Sequence, residues 1–378
     1  MTPHIFVLFG TRPEAIKLFP LIELLKLNKS VRLTVCVTAQ HRDMLDQVLA
    51  LTGIVPDIDL NLMERNQSLD ALSSRILLGV GQALDEYKPD RLIVQGDTAT
   101  TMVGALAAYY RKIPVSHVEA GLRSDNIYSP WPEEVNRKIV GAIADQHFAP
   151  TSRAAESLVK ENIPKERIFI TGNTGVDALL KVKGIVDRNP ELNKRWADIQ
   201  SRHDKRKLIL VTTHRRENFG GGMDRIVEAL INILNREDVY AVLPVHPNPN
   251  VTDIITTRLS GHSRVELISP QGYEDFVALL SRAHLILTDS GGIQEEAPAL
   301  GKPVLVLRDT TERPEGVIAG TARLVGTDDK LIVSETFKLL DDRDYYLGMA
   351  QAHNPFGDGN ASSRIMKVVL NDRRSSRV

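Results

Sequence analysis

The sequence is poor in cysteine, in net charge and in long apolar runs. Its 378 residues include one cysteine, Cys36, which excludes an intramolecular disulfide. Cys36 stands in the apolar run 31–38, so we expect an inert thiol in a buried strand. Forty-seven Lys and Arg balance 48 Asp and Glu, giving a net charge of −1. Such a chain has no overall field to attract nucleic acid or an anionic membrane, and we expect neither partner.

Targeting and metal-binding signals are also missing. No apolar run reaches the roughly 18 residues that crossing a bilayer requires. The N-terminus lacks the basic and apolar regions of a secretory signal, because apolar residues 5–9 run directly into Gly10-Thr11-Arg12. We therefore expect a cytoplasmic protein. The cysteine and histidine residues show no metal-ligand spacing, so we predict no metal site.

Short apolar runs alternate with helical patterns along the whole chain. Runs that are apolar throughout, rather than alternating with polar residues, indicate parallel strands covered on both faces. The predicted strands are 5–9, 33–37, 91–95, 114–118, 147–149, 167–170, 208–212, 240–245, 265–268, 285–288, 304–307 and 323–325. Helix-like segments between the first of them are 15–27, 43–51, 69–87 and 101–111. This βαβ rhythm predicts an α/β protein with doubly wound parallel sheets.

The length favours two domains. Residues 184–207 are polar and charged and contain no predicted strand, which makes them the best break. We predict two Rossmann-like domains, 1–172 and 173–359, with the hinge between about 172 and 206. The last segment, about 360–378, includes a predicted helix at 362–369 that we expect to pack back onto the first domain.

The most informative motif begins at Asp289 and continues with Ser290, Gly291 and Gly292. It follows a predicted strand and opens a predicted helix. Two glycines there let backbone N–H groups approach a ligand, and a helix N-terminus favours an anion, so the motif is typical of a phosphate site. Glu296, about one turn later, is placed to accept ribose hydroxyls. A plain Gly-Gly turn is the alternative reading.

Other polar residues follow predicted strands of the first half. Arg12 and Lys17 come after the first strand and could hold a diphosphate, although they could also be solvated charges. Asp97 and Glu119 each end a buried strand, and Glu133 lies in a proline-stiffened loop. A single carboxylate there is most often a cap or turn former. Three together suit proton transfer, because a dry cleft drives their pKa values upward and apart.

The second half offers matching groups at its strand ends. His214 ends the first strand of that half and is followed by two arginines and Gly220-Gly221-Gly222. Gln271 and Phe276 could read and stack a nucleobase, and Arg313 adds a cation for phosphate. A lone histidine is more often structural.

Seven strings of the sequence, in this order, resemble one family. They are 10–14 (GTRPE), 96–98 (GDT), 117–123 (HVEAGLR), 129–134 (SPWPEE), 214–217 (HRRE), 289–296 (DSGGIQEE) and 308–315 (RDTTERPE). The family is that of the bacterial non-hydrolysing UDP-N-acetylglucosamine 2-epimerases. The resemblance extends from residue 5 to about 365.

The resemblance implies a GT-B-like fold with an interdomain active-site cleft that holds UDP. It implies an isomerase that interconverts UDP-GlcNAc and UDP-ManNAc for bacterial surface polysaccharide, without a metal or a nicotinamide cofactor, and a homodimer. The implied catalytic positions are Asp97, Glu119, Glu133 and His214. The implied UDP-binding positions add Arg12, Lys17, Gln271, Phe276, Ser290, Gly291, Gly292, Glu296 and Arg313. An effector site for UDP-GlcNAc is implied at Gln40, His41, Arg42 and Glu133.

The implied chemistry fits the residue types. No carbonyl activates the C2 hydrogen of the sugar, so loss of UDP from C1 must assist, giving 2-acetamidoglucal. Re-addition of UDP with a proton delivered to the other face inverts C2, which requires a proton-handling group on each face. Four positions depart from the commoner family residues: Asp43 and Asn66 in the effector region, and Gln95 and Ser116 beside the carboxylates.

Three alternatives remain open at this stage. A GT-B glycosyltransferase would share the fold and the UDP site, but it would need an acceptor and a single base. A hydrolysing epimerase would release free ManNAc and UDP. A UDP-sugar-binding protein without activity would have the binding groups and no use for the carboxylates.

Overall fold

The chain forms two compact units. In the computed structural model the described residues are 2–39, 42–62, 64, 67–204 and 206–371, with only the backbone for 42–44. Unit 1 comprises Met1–Ala178 and Gly357–Val378, and unit 2 comprises Leu179–Phe356. Each unit is a parallel sheet with helices, as the alternation of apolar runs predicts.

Unit 1 contains a seven-stranded parallel sheet in the order β3-β2-β1-β4-β5-β6-β7. Its strands are β1 (His4–Phe9), β2 (Arg32–Val37), β3 (Ile58–Asp59), β4 (Arg91–Gln95), β5 (Val115–Val118), β6 (Gln146–Ala149) and β7 (Ile168–Ile170). Its helices are α1 (Arg12–Leu27), α2 (Arg42–Thr52), α3 (Leu69–Tyr87), α4 (Ala99–Tyr109), α5 (Glu133–Ile143) and α6 (Ser152–Lys160), with α7 (Thr174–Asp187) at the unit boundary. The last helix, α16 (Ala361–Asn371), packs against α1.

Unit 2 contains a six-stranded parallel sheet in the order β10-β9-β8-β11-β12-β13. Its strands are β8 (Lys207–Thr212), β9 (Val239–Pro244), β10 (Val265–Ile268), β11 (Leu285–Thr288), β12 (Val304–Val306) and β13 (Ala322–Leu324). Its helices are α8 (Pro190–Ser201), α9 (Gly221–Ile233), α10 (Pro249–Leu259), α11 (Tyr273–Arg282), α12 (Gly291–Glu296), α13 (Pro314–Ile318), α14 (Asp329–Asp341) and α15 (Arg343–Ala350).

The central strands are buried from end to end. Every residue of β1 and β4 is buried, and so is every residue of β11. Apolar side chains such as Phe6 and Val94 pack under α3 and α4 in one core cluster. A fully buried large apolar side chain contributes about 1.5–3 kcal/mol, so these two-sided strands supply much of the driving force for folding.

The structure confirms the predicted fold class and most strand positions. The prediction missed β3, because two residues, Ile58–Asp59, are too short for a recognisable apolar run. Helix α1 starts three residues before the predicted 15–27, since Pro13 is well tolerated in a first helical turn. Among the described helices, none has the length and apolar character needed to cross a membrane.

We predict that Gly121→Ala destabilises the protein markedly. Gly121 has φ +91, and a Cβ there would lie 2.2 Å from the carbonyl oxygen of Ala154. The left-handed conformation costs an alanine about 1–2 kcal/mol, and the backbone clash adds about 1–3 kcal/mol. Thermal unfolding followed by calorimetry should show a lower midpoint for this variant.

Gly53→Ala is the matched control, because Gly53 has φ +66 but a Cβ there would meet nothing within 4 Å. The Gly53→Ala control should lose only the stability that the left-handed conformation costs an alanine. Equal midpoints for the two variants would contradict the predicted contact with Ala154.

Candidate active site

The strand order defines where a ligand can bind in each sheet. In unit 1, β1 lies between β2 and β4, and in unit 2, β8 lies between β9 and β11. At such a reversal of strand order the connecting loops diverge, leaving a crevice beyond the carboxyl ends of the strands. The predicted catalytic and UDP-binding residues follow β1, β4 and β5 in unit 1 and β8, β10, β11 and β12 in unit 2. Each set therefore stands at the binding edge of its own sheet.

Glu119 follows β5 and is held by three donors. Lys17 Nζ pairs with Glu119 Oε1, and Asn173 Nδ2 donates to the same oxygen at 3.2 Å. Gln95 Nε2 donates to Oε2. The Glu119 side chain is 8% exposed, and its backbone has φ +64, a left-handed conformation that costs about 1–3 kcal/mol. These donors are what a carboxylate needs when it is removed from water.

Asp97 follows the neighbouring strand β4 and is paired with a cation from α5. Arg137 donates to Asp97 Oδ2 from Nε at 2.9 Å and from Nη2 at 2.6 Å. Arg137 Nη1 also donates to buried Glu134 at 3.1 Å. Burial acts to lower the pKa of Arg137, but the charges of Asp97 and Glu134 outweigh burial and raise it. Arg137 therefore keeps its charge and anchors Asp97.

The turn that carries Asp97 is fixed by buried side chains. Asn136 Nδ2 donates to the Asp97 carbonyl oxygen at 2.8 Å, and Glu14 accepts from Thr98 Oγ1 at 2.7 Å. His117 Nε2 lies 2.7 Å from the Gly96 carbonyl oxygen. A carbonyl only accepts, so His117 must carry its proton on Nε2. Burial lowers the pKa of His117 to about 3, which keeps the ring neutral.

Glu133 is the first residue of α5 and is half-buried. It lies four residues before Arg137, which places both side chains on one face of the helix.

Of the predicted effector residues, Gln40 and His41 lie outside the described residues, and only the backbone of Arg42 is described. The effector site therefore stays a prediction.

The Ser-Gly-Gly motif forms the expected strand-to-helix turn in unit 2. Ser290 precedes α12, which begins at Gly291. Ser290 N donates to Thr288 Oγ1 at 3.0 Å, which ties the turn to the end of β11. Gly292 is exposed, and a Cβ there would meet nothing within 4 Å. The backbone at Gly292 is thus accessible to an anion.

Two guanidinium groups approach this turn. A Cβ on Gly291 would lie 3.7 Å from Arg313 Cζ and 3.9 Å from Arg215 Nη2. Arg313 Nε is bound to Glu295 Oε1 at 2.5 Å, which fixes its orientation. Two cations beside open amides form a site suited to a diphosphate.

The nucleoside-binding candidates lie on the neighbouring part of the sheet. Glu296 Oε1 accepts from Tyr273 hydroxyl at 3.3 Å, so its carboxylate is positioned by α11. Gln271 precedes α11, and its Oε1 accepts from Arg195 Nη2 at 3.2 Å. Phe276 lies on α11 and is half-buried. The groups predicted to bind base and ribose thus come from α11, the loop before it and α12.

His214 follows β8 and stands beside β11. Its Nδ1 lies 3.2 Å from Asp289 Oδ1, and its ring stacks on His246 with centroids 5.6 Å apart.

Arg12 and Lys17, the remaining predicted residues, lie in the first two turns of α1. In the part of the chain that the structure describes, no group of three or more His, Cys, Asp or Glu could hold a metal ion.

The two sheets together define the class of protein. Each is a Rossmann-like doubly wound sheet with polar groups at its strand reversal, and the chain has the GT-B-like fold class. A family model described as UDP-N-acetylglucosamine 2-epimerase matches residues 23–370, and the chain belongs to that family.

Relatives and solved structures agree with this assignment. The UDP-N-acetylglucosamine 2-epimerase of Escherichia coli K12 is 54% identical over 374 residues, covering 98% of this chain and 99% of the relative. A crystal structure of the Neisseria meningitidis UDP-GlcNAc 2-epimerase bound to UDP-GlcNAc is 46% identical with a TM-score of 0.88, covering 98% and 100%. A Listeria monocytogenes structure of a putative UDP-N-acetylglucosamine 2-epimerase has a TM-score of 0.91 at 43% identity, covering 100% and 98%.

Several contributing residues were missed in the sequence. Arg137 and Asn173 bind the predicted carboxylates, Arg215 approaches the Ser-Gly-Gly turn, and Tyr273 holds Glu296. Spacing could have found Arg137, which lies four residues after Glu133. No local signal marks Asn173, because its partner Glu119 is 54 residues away.

We predict that His117 makes the protein less stable at acidic pH. Its folded-state pKa of about 3 lies below the ordinary 6.5. Between these two pH values His117 is therefore protonated in the unfolded chain and neutral in the folded protein. The free energy of unfolding should therefore fall as pH drops from 6.5 towards 3, by up to about 1.4 kcal/mol per pH unit. His117→Gln can still donate to Gly96 but does not titrate.

Denaturant unfolding at several pH values between 4 and 7 checks this prediction. The His117→Gln variant should show a shallower decline than the wild type. Some decline should persist, because burial also lowers the pKa of His147 to about 4. Parallel curves for the two proteins would show that His117 does not resist protonation.

Proposed function

We propose that this chain interconverts UDP-N-acetylglucosamine and UDP-N-acetylmannosamine. A carboxylate removes the proton from C2 of the sugar while the bond between C1 and the diphosphate oxygen breaks. UDP and 2-acetamidoglucal form and are held. UDP then adds back to C1 as a proton reaches C2 from the other face, so the product is the C2 epimer and no atoms are lost.

Asp97 and Glu119 supply the proton-handling groups of this proposal. They follow neighbouring strands, and each is bound to a cation, Arg137 for Asp97 and Lys17 for Glu119. A charged, oriented carboxylate is a competent general base, and a protonated one is a competent acid. Glu133, at the start of α5, is the third candidate. The assignment of a carboxylate to each face of C2 stays open.

Unit 2 supplies the groups that bind UDP in this proposal. The backbone amides of Gly291 and Gly292 and the guanidinium of Arg313 are proposed to stabilise the charge that develops on the departing diphosphate. Such preorganised donors contribute about 3–4 kcal/mol each to transition-state stabilisation in comparable sites. Arg12, the first residue of α1, is proposed as a further UDP-binding residue.

The observation that carries the proposal is the pair of cation-bound carboxylates at the ends of β4 and β5. A transferase that moves a sugar to an acceptor needs one base, and a binding protein needs none. Two oriented carboxylates at the ends of adjacent strands match a reaction that must handle a proton on both faces of one carbon.

The direct test is an NMR time course with purified protein and UDP-GlcNAc in D2O, without an acceptor. We expect UDP-ManNAc with deuterium at C2, and deuterium entering the remaining substrate. Free ManNAc would instead show a hydrolysing epimerase, and no reaction until an acceptor is added would show a glycosyltransferase.

We predict that Glu119→Gln lowers kcat by about 10²–10⁴-fold, because the amide can neither take nor give the proton. The amide keeps the size of the side chain, although its NH2 must face one of the donors, so binding of UDP measured by calorimetry should fall much less than kcat. A non-enzymatic UDP-sugar-binding protein would be unaffected in every assay.

Glu161→Gln is the matched control, since Glu161 is also in unit 1 and pairs with cations, Arg123 and Lys138. It lies outside the proposed site and should retain kcat within about twofold. Equal losses in the two variants would point to a general effect of removing an ion pair and contradict the role of Glu119.

We further propose a homodimer, formed through the outer face of α3 and α4. Helix α4 (Ala99–Tyr109) has no charged residue. Tyr109 and Tyr110 at its C-terminus are 61% and 62% exposed, and Leu78 on the adjacent α3 is 65% exposed. Tyrosines on an uncharged helix face are typical of a protein interface.

We also retain the cytoplasm as the proposed compartment, to which a buried free Cys36 is suited.

Light scattering during gel filtration should give the mass of two chains for the wild type. The double variant Leu78→Glu, Tyr109→Lys should give the mass of a single chain, because both changes put charge into the proposed interface. Leu27→Lys is the control, since Leu27 is 74% exposed on α1. A dimer that persists in the double variant would place the interface elsewhere.

A further inference from the structure

A buried carboxylate, Asp289, lies at the carboxyl end of β11 and joins it to the loop after β8. Its side chain is fully buried. Oδ2 accepts four hydrogen bonds, from Thr213 Oγ1 at 3.0 Å, His214 N at 2.9 Å, Arg215 N at 2.9 Å and Asn218 Nδ2 at 3.1 Å. One oxygen of Asp289 is thus saturated by donors that shape the loop carrying His214.

The other oxygen faces the ring of His214. Oδ1 lies 3.2 Å from His214 Nδ1, while the His214 side chain is 40% exposed. Burial acts to raise the pKa of Asp289, but the His214 side chain and the backbone amides of 214 and 215 outweigh burial and hold it below the ordinary value. Asp289 is therefore a carboxylate at neutral pH, and a carboxylate can only accept.

An accepting neighbour decides which nitrogen of His214 holds the proton. Buried Oδ1 has no hydrogen-bond partner in good geometry and lies 3.2 Å from Nδ1, so hydrogen on Nδ1 is what would satisfy it, and Nε2 is then the nitrogen without hydrogen. The stacked ring of His246 limits rotation of the imidazole.

We propose that Asp289 is a positioning residue that fixes the tautomer and orientation of His214, with Nε2 of His214 directed at the substrate. The inference rests on the proposed function, and His214 lies near the turn proposed to bind diphosphate because its partner Asp289 directly precedes Ser290. It adds a second use for the motif that begins at Asp289: the glycines after it receive the anion, and Asp289 itself acts through His214.

The structure allows a substitution that changes the proton and preserves the fold. In Asp289→Asn the four donors around Oδ2 require the amide oxygen at that position. The amide NH2 is then forced into the place of Oδ1, where it faces His214 Nδ1 as a donor. Nδ1 must become an acceptor, so the proton of neutral His214 moves to Nε2.

The first readout is the ¹⁵N NMR spectrum of histidine-labelled full-length protein at a pH where the ring is neutral. His214→Ala assigns the His214 signals. We expect the Nδ1–H tautomer in the wild type and the Nε2–H tautomer in Asp289→Asn. An Nε2–H tautomer in the wild type, or the same tautomer in both, would overturn the proposal without any reference to activity.

The second readout is the kinetics of UDP-GlcNAc epimerisation. Asp289→Asn should lower kcat by about 100-fold or more while KM stays within about threefold, because orientation and protonation change and binding does not. Thr213→Val is the matched control. It removes one donor from Oδ2 and leaves Oδ1 and Nδ1 together, so tautomer and kcat should stay near the wild-type values.

A double-mutant cycle separates action through His214 from a structural effect. In a His214→Ala background, Asp289→Asn should cause no further loss of kcat. A loss as large as in the wild-type background would overturn the positioning role. If the wild type has no epimerase activity at all, the proposed function fails, and the tautomer measurement alone still decides whether Asp289 controls His214.

Discussion

The arrangement of the site depends on keeping two carboxylates charged at the ends of adjacent strands. Neighbouring strands lie about 4.8 Å apart. Two unit charges about 6 Å apart repel each other by about 3 kcal/mol at an effective dielectric constant of 20. Lys17 and Arg137 offset that repulsion, one cation for each acid. Each cation also fixes the direction of its carboxylate through hydrogen bonds.

The two units contribute different kinds of groups. Unit 1 offers carboxylates backed by cations, which suits proton transfer. Unit 2 offers open amides and guanidinium groups beside β11, which suits an anion. Asp289 repeats in unit 2 the device seen in unit 1, a charged group whose orientation is set by buried hydrogen bonds. In both sheets these groups gather where the strand order reverses, because the loops separate only there.

The sequence predicts much of this, and particular residues show where prediction stops. Strands β4 and β11 were predicted at the right residues because short apolar runs bounded by polar turns favour buried strands. The polar residues directly after those runs were therefore chosen as site candidates, and their roles stay predictions. Arg137, Asn173 and Arg215 were missed because their partners are brought to them by the tertiary fold.

The local pattern also could not separate adjacent acids. Glu133 and Glu134 look equivalent in the sequence, yet Glu134 is fully buried and binds Arg137, whereas Glu133 is half-buried at the helix start. Similarly, Asp289 looks like part of a phosphate-binding turn, and only its distance to His214 indicates a second role. Burial and side-chain direction, which decide these roles, depend on packing between elements distant in the sequence.

We propose above all that the two cation-bound carboxylates that follow β4 and β5 handle the proton at C2 of the substrate. A crystal structure of the Glu119→Gln variant with UDP-GlcNAc tests this most directly. We predict that the sugar C2 lies beside residues 97 and 119. A sugar ring bound away from both carboxylate positions would contradict it.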